Sequence, residues 1–353
     1  MDLLITGATG FAGSALARRL ISEGARVTVL VRERVQVAQW QAAGAVAKVG
    51  AIGDPNEIAE AARGCEIIFH CAGENSHRTP PRALQWINIA GTENVISAAR
   101  HIGCKRVVYL SCADVTLLNC DRVNWNENRS IAQQPINPCA CSKQLAEEVA
   151  LTASRKSTEI TAIRAAWLWG PGDHTALPGL CLEAEQGGVR LFGNGRNLIA
   201  TLYIDNLVDA LISACQARDV SGKAYYVTDG EFLDAAEFFG MLCESVRLPP
   251  PRKGLFYLSF AQAWFRERLR LDGPWTTDVV RRGRGTLFDT QCAVRDLGYR
   301  PSVSVAEGMA RLRDWAEKVG GPGAIASMAR KPATERSIEE QVAAAKAARE
   351  TSR

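Results

Sequence analysis

The sequence predicts an α/β fold, a doubly wound parallel sheet with a smaller C-terminal α/β cap, on three observations. Short apolar runs of strand length alternate with helical patterns through residues 1–170, which is the signature of parallel strands with helices on both faces. The first run, Leu3-Leu4-Ile5, stops at Gly7, and Gly10 and Gly13 follow at spacings of three before an amphipathic pattern begins. Beyond residue 170 the alternation loosens, so that half supplies a cap and substrate contacts instead of a second independent fold.

The opening stretch reads as strand, tight turn and helix. Gly7 permits the sharp turn, Gly10 lets backbone approach a pyrophosphate, and Gly13 lets the helix pack close on the strand. Thr9, Phe11 and Ala12 lie between them. Phosphates would meet free N–H groups at the helix start, so the turn predicts a Rossmann-type nucleotide site. The alternative is a glycine turn in a parallel sheet whose ligand has been lost.

Residues 26–32 make a second strand, ending in Val31, Arg32 and Arg34. An Asp or Glu near this point would accept hydrogen bonds from a ribose 2′-hydroxyl, whereas a 2′-phosphate needs cations. NADP(H) is therefore favoured over NAD(H), against the alternative that both arginines are solvated loop charges. A short third strand over 45–49 and a helix near 56–63 follow, then a fourth strand over 66–73 that closes on Ala72 and Gly73. Small residues there let a cofactor lie against the backbone. A helical pattern over 86–95 carries Asn88, and 106–112 is a further strand.

A helix over 141–153 leads to a strand over 159–164 and then to Gly170-Pro171-Gly172-Asp173. Strands over 198–203 and 223–228, helices over 204–217 and 305–318, and an aromatic stretch over 255–265 complete the pattern. This organises the chain as a dinucleotide-binding core (1–170), a cap interleaved with it (171–319) and a loose or partly helical tail (320–353) rich in Ala, Lys, Arg and Glu.

Composition narrows the function classes. At 47% hydrophobic and 23% charged residues the chain is ordinary globular protein. A net charge of +4 over 353 residues, without a basic stripe, sets nucleic acid aside. No apolar run reaches membrane-spanning length, and a core strand directly after Met1 leaves no room for a leader, so a cytoplasmic location is expected. Eleven cysteines, an odd number without a repeated C-x-x-C, read as mostly buried thiols in a reducing compartment, with no metal site.

Several separate motifs resemble the extended short-chain dehydrogenase/reductase superfamily, nearest its 3β-hydroxysteroid and sterol-4α-carboxylate dehydrogenase branch. They are Thr6-Gly7-Ala8-Thr9-Gly10-Phe11-Ala12-Gly13, Phe69-His70-Cys71-Ala72, Asn88 with Gly91-Thr92 and Asn94-Val95, Val107-Val108-Tyr109, Ser142-Lys143 with Ala146-Glu147, Gly170-Pro171-Gly172-Asp173, Gly193-Asn194-Gly195, Tyr203-Ile204-Asp205-Asn206, Gly222-Lys223-Ala224-Tyr225, and Leu297-Gly298-Tyr299-Arg300-Pro301. The resemblance covers residues 2–318.

It implies a Tyr that moves a proton to or from the substrate oxygen, a Lys four residues later that lowers the phenol pKa and bonds the nicotinamide ribose, and a strand-end Ser or Thr that holds that oxygen. Here the Lys is Lys143, the Tyr position is Cys139 and the strand-end position is Cys112, with Ser111 one residue off and turned to the opposite face by strand alternation. The family's adenine-contacting Asp appears as Ala51, and the Pro after the strand arginine as Ala165.

Three readings of the cysteine pair stay open: an oxidoreductase in which Lys143 with an ordered water, or a thiol, moves the proton; a dinucleotide-binding scaffold or regulatory protein; and a redox-switchable thiol pair. Sugar-nucleotide epimerisation or dehydration is a further alternative on the same fold. Trp167, Trp169 and residues 255–265 could wall a pocket for a hydrophobic, sterol- or terpenoid-like small molecule, and Tyr203 and Tyr257 are candidate phenols from elsewhere in the chain. Basic residues behind the aromatic stretch suit peripheral membrane contact through 255–270, against a lid helix packed on the core. A homodimer is left open.

Overall fold

The computed structural model describes residues 1–76, 79–129, 135–155, 157–269, 271 and 273–329. Seven strands form its central sheet: β1 (Asp2–Thr6), β2 (Arg26–Val31), β3 (Val46–Val49), β4 (Ile67–His70), β5 (Arg106–Cys112), β6 (Glu159–Ala165) and β7 (Ala224–Val227). They lie in the order β7-β6-β5-β4-β1-β2-β3, and every neighbouring pair is parallel. The doubly wound α/β class read from the sequence is the fold observed.

Strands covered on both faces read as near-continuous apolar runs. Leu3, Leu4, Ile5, Ile68, Phe69, Val107 and Val108 are accordingly buried. Alternation sends Leu3 and Ile5 to one face, where they meet Leu16 and Leu20 of the Phe11–Ser22 helix and Leu207 and Leu211 of the Ile204–Gln216 helix. Leu4 and Ile68 face the other layer, with Ile58, Val95, Ala146 and Ala150 from the Pro55–Ala61, Gly91–His101 and Pro138–Thr152 helices.

The winding proceeds from β1 out to β3, then returns across β1 to β4 and continues the other way. That reversal opens a crevice beyond the carboxyl ends of β1 and β4, where ligands of such sheets sit.

A separate apolar cluster organises the C-terminal half around Trp169, Phe238, Phe239, Met309 and Leu312. This half is interleaved with the core, because β7 returns to the central sheet beside β6. The expected strand over 198–203 is two short ones: Leu198–Ile199, antiparallel to Leu233–Asp234, and Thr201–Tyr203, parallel to Trp167–Trp169. The aromatic stretch forms the Phe256–Leu269 helix. Beyond the Val305–Val319 helix the folded chain continues into Pro322–Ser327, where Ile325 is fully buried. Residues 330–353, most of the expected tail, lie outside the described residues.

Two further boundaries bear on the site. The pattern over 86–95 divides into a π-helical turn, Gln85–Ala90, and the Gly91–His101 helix; π-turns are concentrated at functional positions. The helix expected from residue 141 starts at Pro138, since Asn137 caps it by accepting the Ala140 N–H and proline suits the first helical position. Cys139 therefore sits in the first turn of the same helix as Lys143.

Candidate active site

The glycine turn is built by close backbone contact. Gly7 has φ +76°, and a Cβ there would stand 2.5 Å from the Ala72 nitrogen at the exit of β4. A Cβ at Gly13 would stand 2.3 Å from the Gly7 carbonyl oxygen, which is how the helix comes down onto the strand. Gly10 donates its N–H to Gly7 O at 2.9 Å and is the N-cap of the Phe11–Ser22 helix. No side chain caps that helix and no acid lies in its first turn. Its leading N–H groups, at the positive end of the helix dipole, are thus available to an anion.

The residues present fit a dinucleotide diphosphate at the β1/β4 crevice. Thr9 and Ala12 frame the turn, while the Phe11 ring is turned into the C-terminal core, 6.4 Å from the His174 ring. Arg32 and Arg34 are exposed just past β2. At the departure from the family pattern, Ala51 donates its N–H to Glu57 Oε2 (2.8 Å), and the nearby Asp54 carboxylate caps the Pro55–Ala61 helix through the Asn56 N–H.

Lys143 is 5% exposed and reaches the loop that leaves β4. A Cβ at Gly73 would lie 2.4 Å from its Nζ and 3.2 Å from Asn88 Oδ1, so ammonium and amide converge on that glycine. Asn88 staples the arrangement. Its Nδ2 donates to Ser142 Oγ (2.8 Å) and to Glu74 O (3.0 Å), and its Oδ1 accepts the Glu74 N–H (2.8 Å). Ser142 in turn donates to Cys139 O at 2.7 Å. The aromatic ring facing the ammonium is that of Tyr109, with its centroid 6.0 Å from Nζ.

The thiol of Cys139 lies 3.6 Å from Glu74 O and donates to it. Burial pushes its pKa up to about 12, and the neighbouring Cys112 adds to the rise while Arg281 and Lys143 oppose it. Cys112, at the end of β5, is pushed up to about 11 by burial and Asp114, against Lys143 and Arg281. Both are therefore thiols, not thiolates, at neutral pH. Beneath them His70 is fixed between Thr6 Oγ1 (2.7 Å) and Thr92 Oγ1 (3.0 Å), and burial, helped by Lys143, holds its pKa down at about 3. It is a neutral strut.

The structure thus brings Lys143, Cys139, Cys112, Asn88 and Gly73 together beside the Gly7–Gly13 turn. Ser111 points to the opposite face, where it donates to Glu147, whose carboxylate is forked by Arg164 in a buried pair (Nη2 to Oε1, 2.6 Å). Trp169 is a core residue, donating Nε1–H to Asp229 Oδ2 (2.9 Å) and packing edge-on against Tyr203, itself buried, at 5.0 Å. Trp167 packs on Phe239 (5.4 Å between centroids), and Tyr257 is 77% exposed on the Phe256–Leu269 helix.

Sequence reasoning did not single out Glu74, which closes the Asn88 network, or Arg281, which pairs with Asp114 beside the cysteines. Glu74 acts through its backbone, which no side-chain pattern reports. Arg281 arrives from the far half of the chain.

A doubly wound sheet with a glycine turn at its switch point defines the class as that of NAD(P)-dependent oxidoreductases of the extended short-chain type. The chain belongs to the NAD dependent epimerase/dehydratase family, which matches residues 3–228.

It is 32% identical over 333 residues to a 2-alkyl-3-oxoalkanoate reductase of Stenotrophomonas maltophilia, covering 89% of this chain and 98% of that one. It is 25% identical over 326 residues to the decarboxylating sterol-4-alpha-carboxylate 3-dehydrogenase of Homo sapiens, covering 87% and 86%. Among solved structures, UDP-glucose 4-epimerase of Thermotoga maritima with UDP-glucose superposes with a TM-score of 0.73 at 21% identity over 90% of this chain and 99% of that one, a likeness of fold.

Proposed function

We propose that this protein reduces the 3-oxo group of a bulky, apolar carboxylic acid, with NADP(H) preferred and Lys143 supplying the proton. The observation that carries the reading is the Lys143 ammonium, directed at Gly73 beside the nucleotide turn. The substrate class is argued from the relatives. One is named for 2-alkyl-3-oxoalkanoates and the other for oxidation at C3 of a sterol 4-carboxylate. In both names the reacting carbon is β to the carboxyl group.

When held at the Gly7–Gly13 turn, a nicotinamide dinucleotide would supply the hydride for the carbonyl carbon. The proton for the resulting alkoxide has to come from the protein. Cys139, at the family's tyrosine position, ends one bond beyond Cβ, and a thiol with a pKa of about 12 is poorly matched to proton transfer at neutral pH. Lys143 therefore donates through a water lying where a phenol would reach, and regains its proton from solvent. Arg32 and Arg34 support a 2′-phosphate on the cofactor.

The exposed face formed by Tyr257, Leu258, Trp264 and Phe265, with Arg268 stacked on Trp264 at 5.2 Å, supports docking on a lipid surface that holds apolar substrate. No described helix is long and apolar enough to cross a membrane.

The test is NADPH consumption with a 2-alkyl-3-oxoalkanoate. Lys143→Met should lower kcat by about 100-fold or more, the usual scale for losing a general acid, while Cys139→Ser stays within about tenfold of the parent. NADPH binding without any consumption would overturn the reading in favour of a scaffold. A Cys139→Ser loss as large as that of Lys143→Met would make the thiol the donor.

A further inference from the structure

Asp114 stands two residues past Cys112, in the short turn Ala113–Thr116 that leaves β5. Its carboxylate is paired with Arg281, which belongs to the Thr276–Gly283 helix of the C-terminal half. That helix is seated firmly: Val280 packs with Leu117 and Ala140, flanked by Ile136, Phe256 and Phe260. Ala140 adjoins Cys139, so the packing delivers Arg281 to the gap between the end of β5 and the first turn of the Lys143 helix. Its charge is felt at both Cys112 and Cys139, opposing the burial that raises their pKa values.

Two arginines that are buried are engaged differently. Arg164 is 4% exposed with its fork on Glu147, and Arg282 is 7% exposed between Glu183 and the Arg190 carbonyl. Arg281 keeps 29% of its side chain exposed, with Asp114 at 19%. A guanidinium offers five N–H donors in a planar fork, and one carboxylate leaves an edge of it for a second.

Resting on the proposed reduction of a β-oxo acid, we propose that Arg281 binds the substrate carboxylate, with Asp114 as the positioning residue that holds the guanidinium fork toward the site. In a β-oxygenated acid only one carbon separates the carboxyl carbon from the reacting carbon. Its carboxylate must then fall within a few bond lengths of the oxygen that Lys143 protonates, and the mouth beside Cys112 and Cys139 is where Arg281 lies. The site would select a 3-oxo or 3-hydroxy acid over its neutral ester.

The test is calorimetric binding of a 2-alkyl-3-hydroxyalkanoate and of its methyl ester to the protein saturated with NADPH, a pair that cannot react. The parent should bind the acid on the order of 10- to 100-fold more tightly than the ester, the scale of a charge-assisted pair. Arg281→Gln should bring that ratio to about one, and should raise KM for the acid by a larger factor than KM for the ester. Arg281→Lys should keep part of the preference.

Asp114→Asn keeps the side-chain shape but removes the charge that aims the guanidinium, so its acid-to-ester ratio should fall, though less far than in Arg281→Gln. A merely structural ion pair would destabilise both variants and move neither ratio. No preference in the parent, an undiminished preference in Arg281→Gln, or an unchanged or higher ratio in Asp114→Asn overturns the assignment. The binding ratio decides this inference, whereas absence of NADPH consumption with both the 3-oxo acid and its ester decides against the proposed reaction.

Discussion

Lys143 reaches the loop after β4 only because position 73 carries no side chain: a Cβ there would lie 2.4 Å from its Nζ. Gly73→Ala should leave the fold intact, since the clashing atom is the tip of a flexible chain, but should push the ammonium away from position 73. Displacement of a catalytic group by about 1 Å costs on the order of 100-fold. Steady-state kinetics should show that drop in kcat, with thermal unfolding close to that of the parent.

His70 gives the protein an acid-sensitive strut. Its folded pKa of about 3 lies below the ordinary 6.5 because burial disfavours the imidazolium, so the unfolded chain binds a proton that the native state refuses. The stabilisation is present above pH 6.5 and is lost as the pH falls toward 3. One such proton makes stability fall by about 1.4 kcal/mol per pH unit in that window. Urea unfolding from pH 7 to pH 4 should show this slope, and His70→Gln should flatten it.

The Arg164–Glu147 pair is buried on both sides, at 4% and 3% exposure. Glu147→Ala strands a guanidinium in the core and also removes the acceptor of the Ser111 hydroxyl. Breaking a pair of this kind costs about 3–5 kcal/mol. Denaturant titration should register that loss, and the far milder Ser111→Ala should lose about 1 kcal/mol.

At the end of β2, Arg32→Ala combined with Arg34→Ala should raise the NADPH Kd by roughly tenfold and leave that of NADH unchanged, the scale of one charge-assisted phosphate contact. Fluorescence titration of each cofactor checks it. Equal weakening of both would assign the arginines to general charge and not to the 2′-phosphate.

The exposed Tyr257, Leu258, Trp264 and Phe265 face should bring the protein to the top of a flotation gradient with anionic liposomes at low salt, and less so at high salt. Trp264→Ser with Phe265→Ser should return it to the soluble fraction. Recovery of the parent only in the soluble fraction would leave this face a lid.

What the sequence by itself determined is what short-range geometry controls. Strand-length apolar runs set the parallel strands of the central sheet, and three glycines set a turn that only closely approaching backbone can make, whereas the start of the Lys143 helix at Pro138, which carries Cys139, came from the Asn137 cap. Strand alternation alone turned Ser111 away from Cys112.

Tertiary packing decided the rest, because those contacts join residues whose separation along the chain carries no periodic signal. Arg281 meets Asp114 across 167 residues, placed there by Val280 packing on Ala140. Trp169 and Tyr203, which the motif pattern offered equally to a substrate, went to the C-terminal core, where Asp229 satisfies the indole N–H and the two rings pack edge to face. A π-turn aimed Asn88 at Ser142 and Glu74. Composition marks a side chain as apolar or charged, but which surface it covers depends on the helix that arrives opposite it.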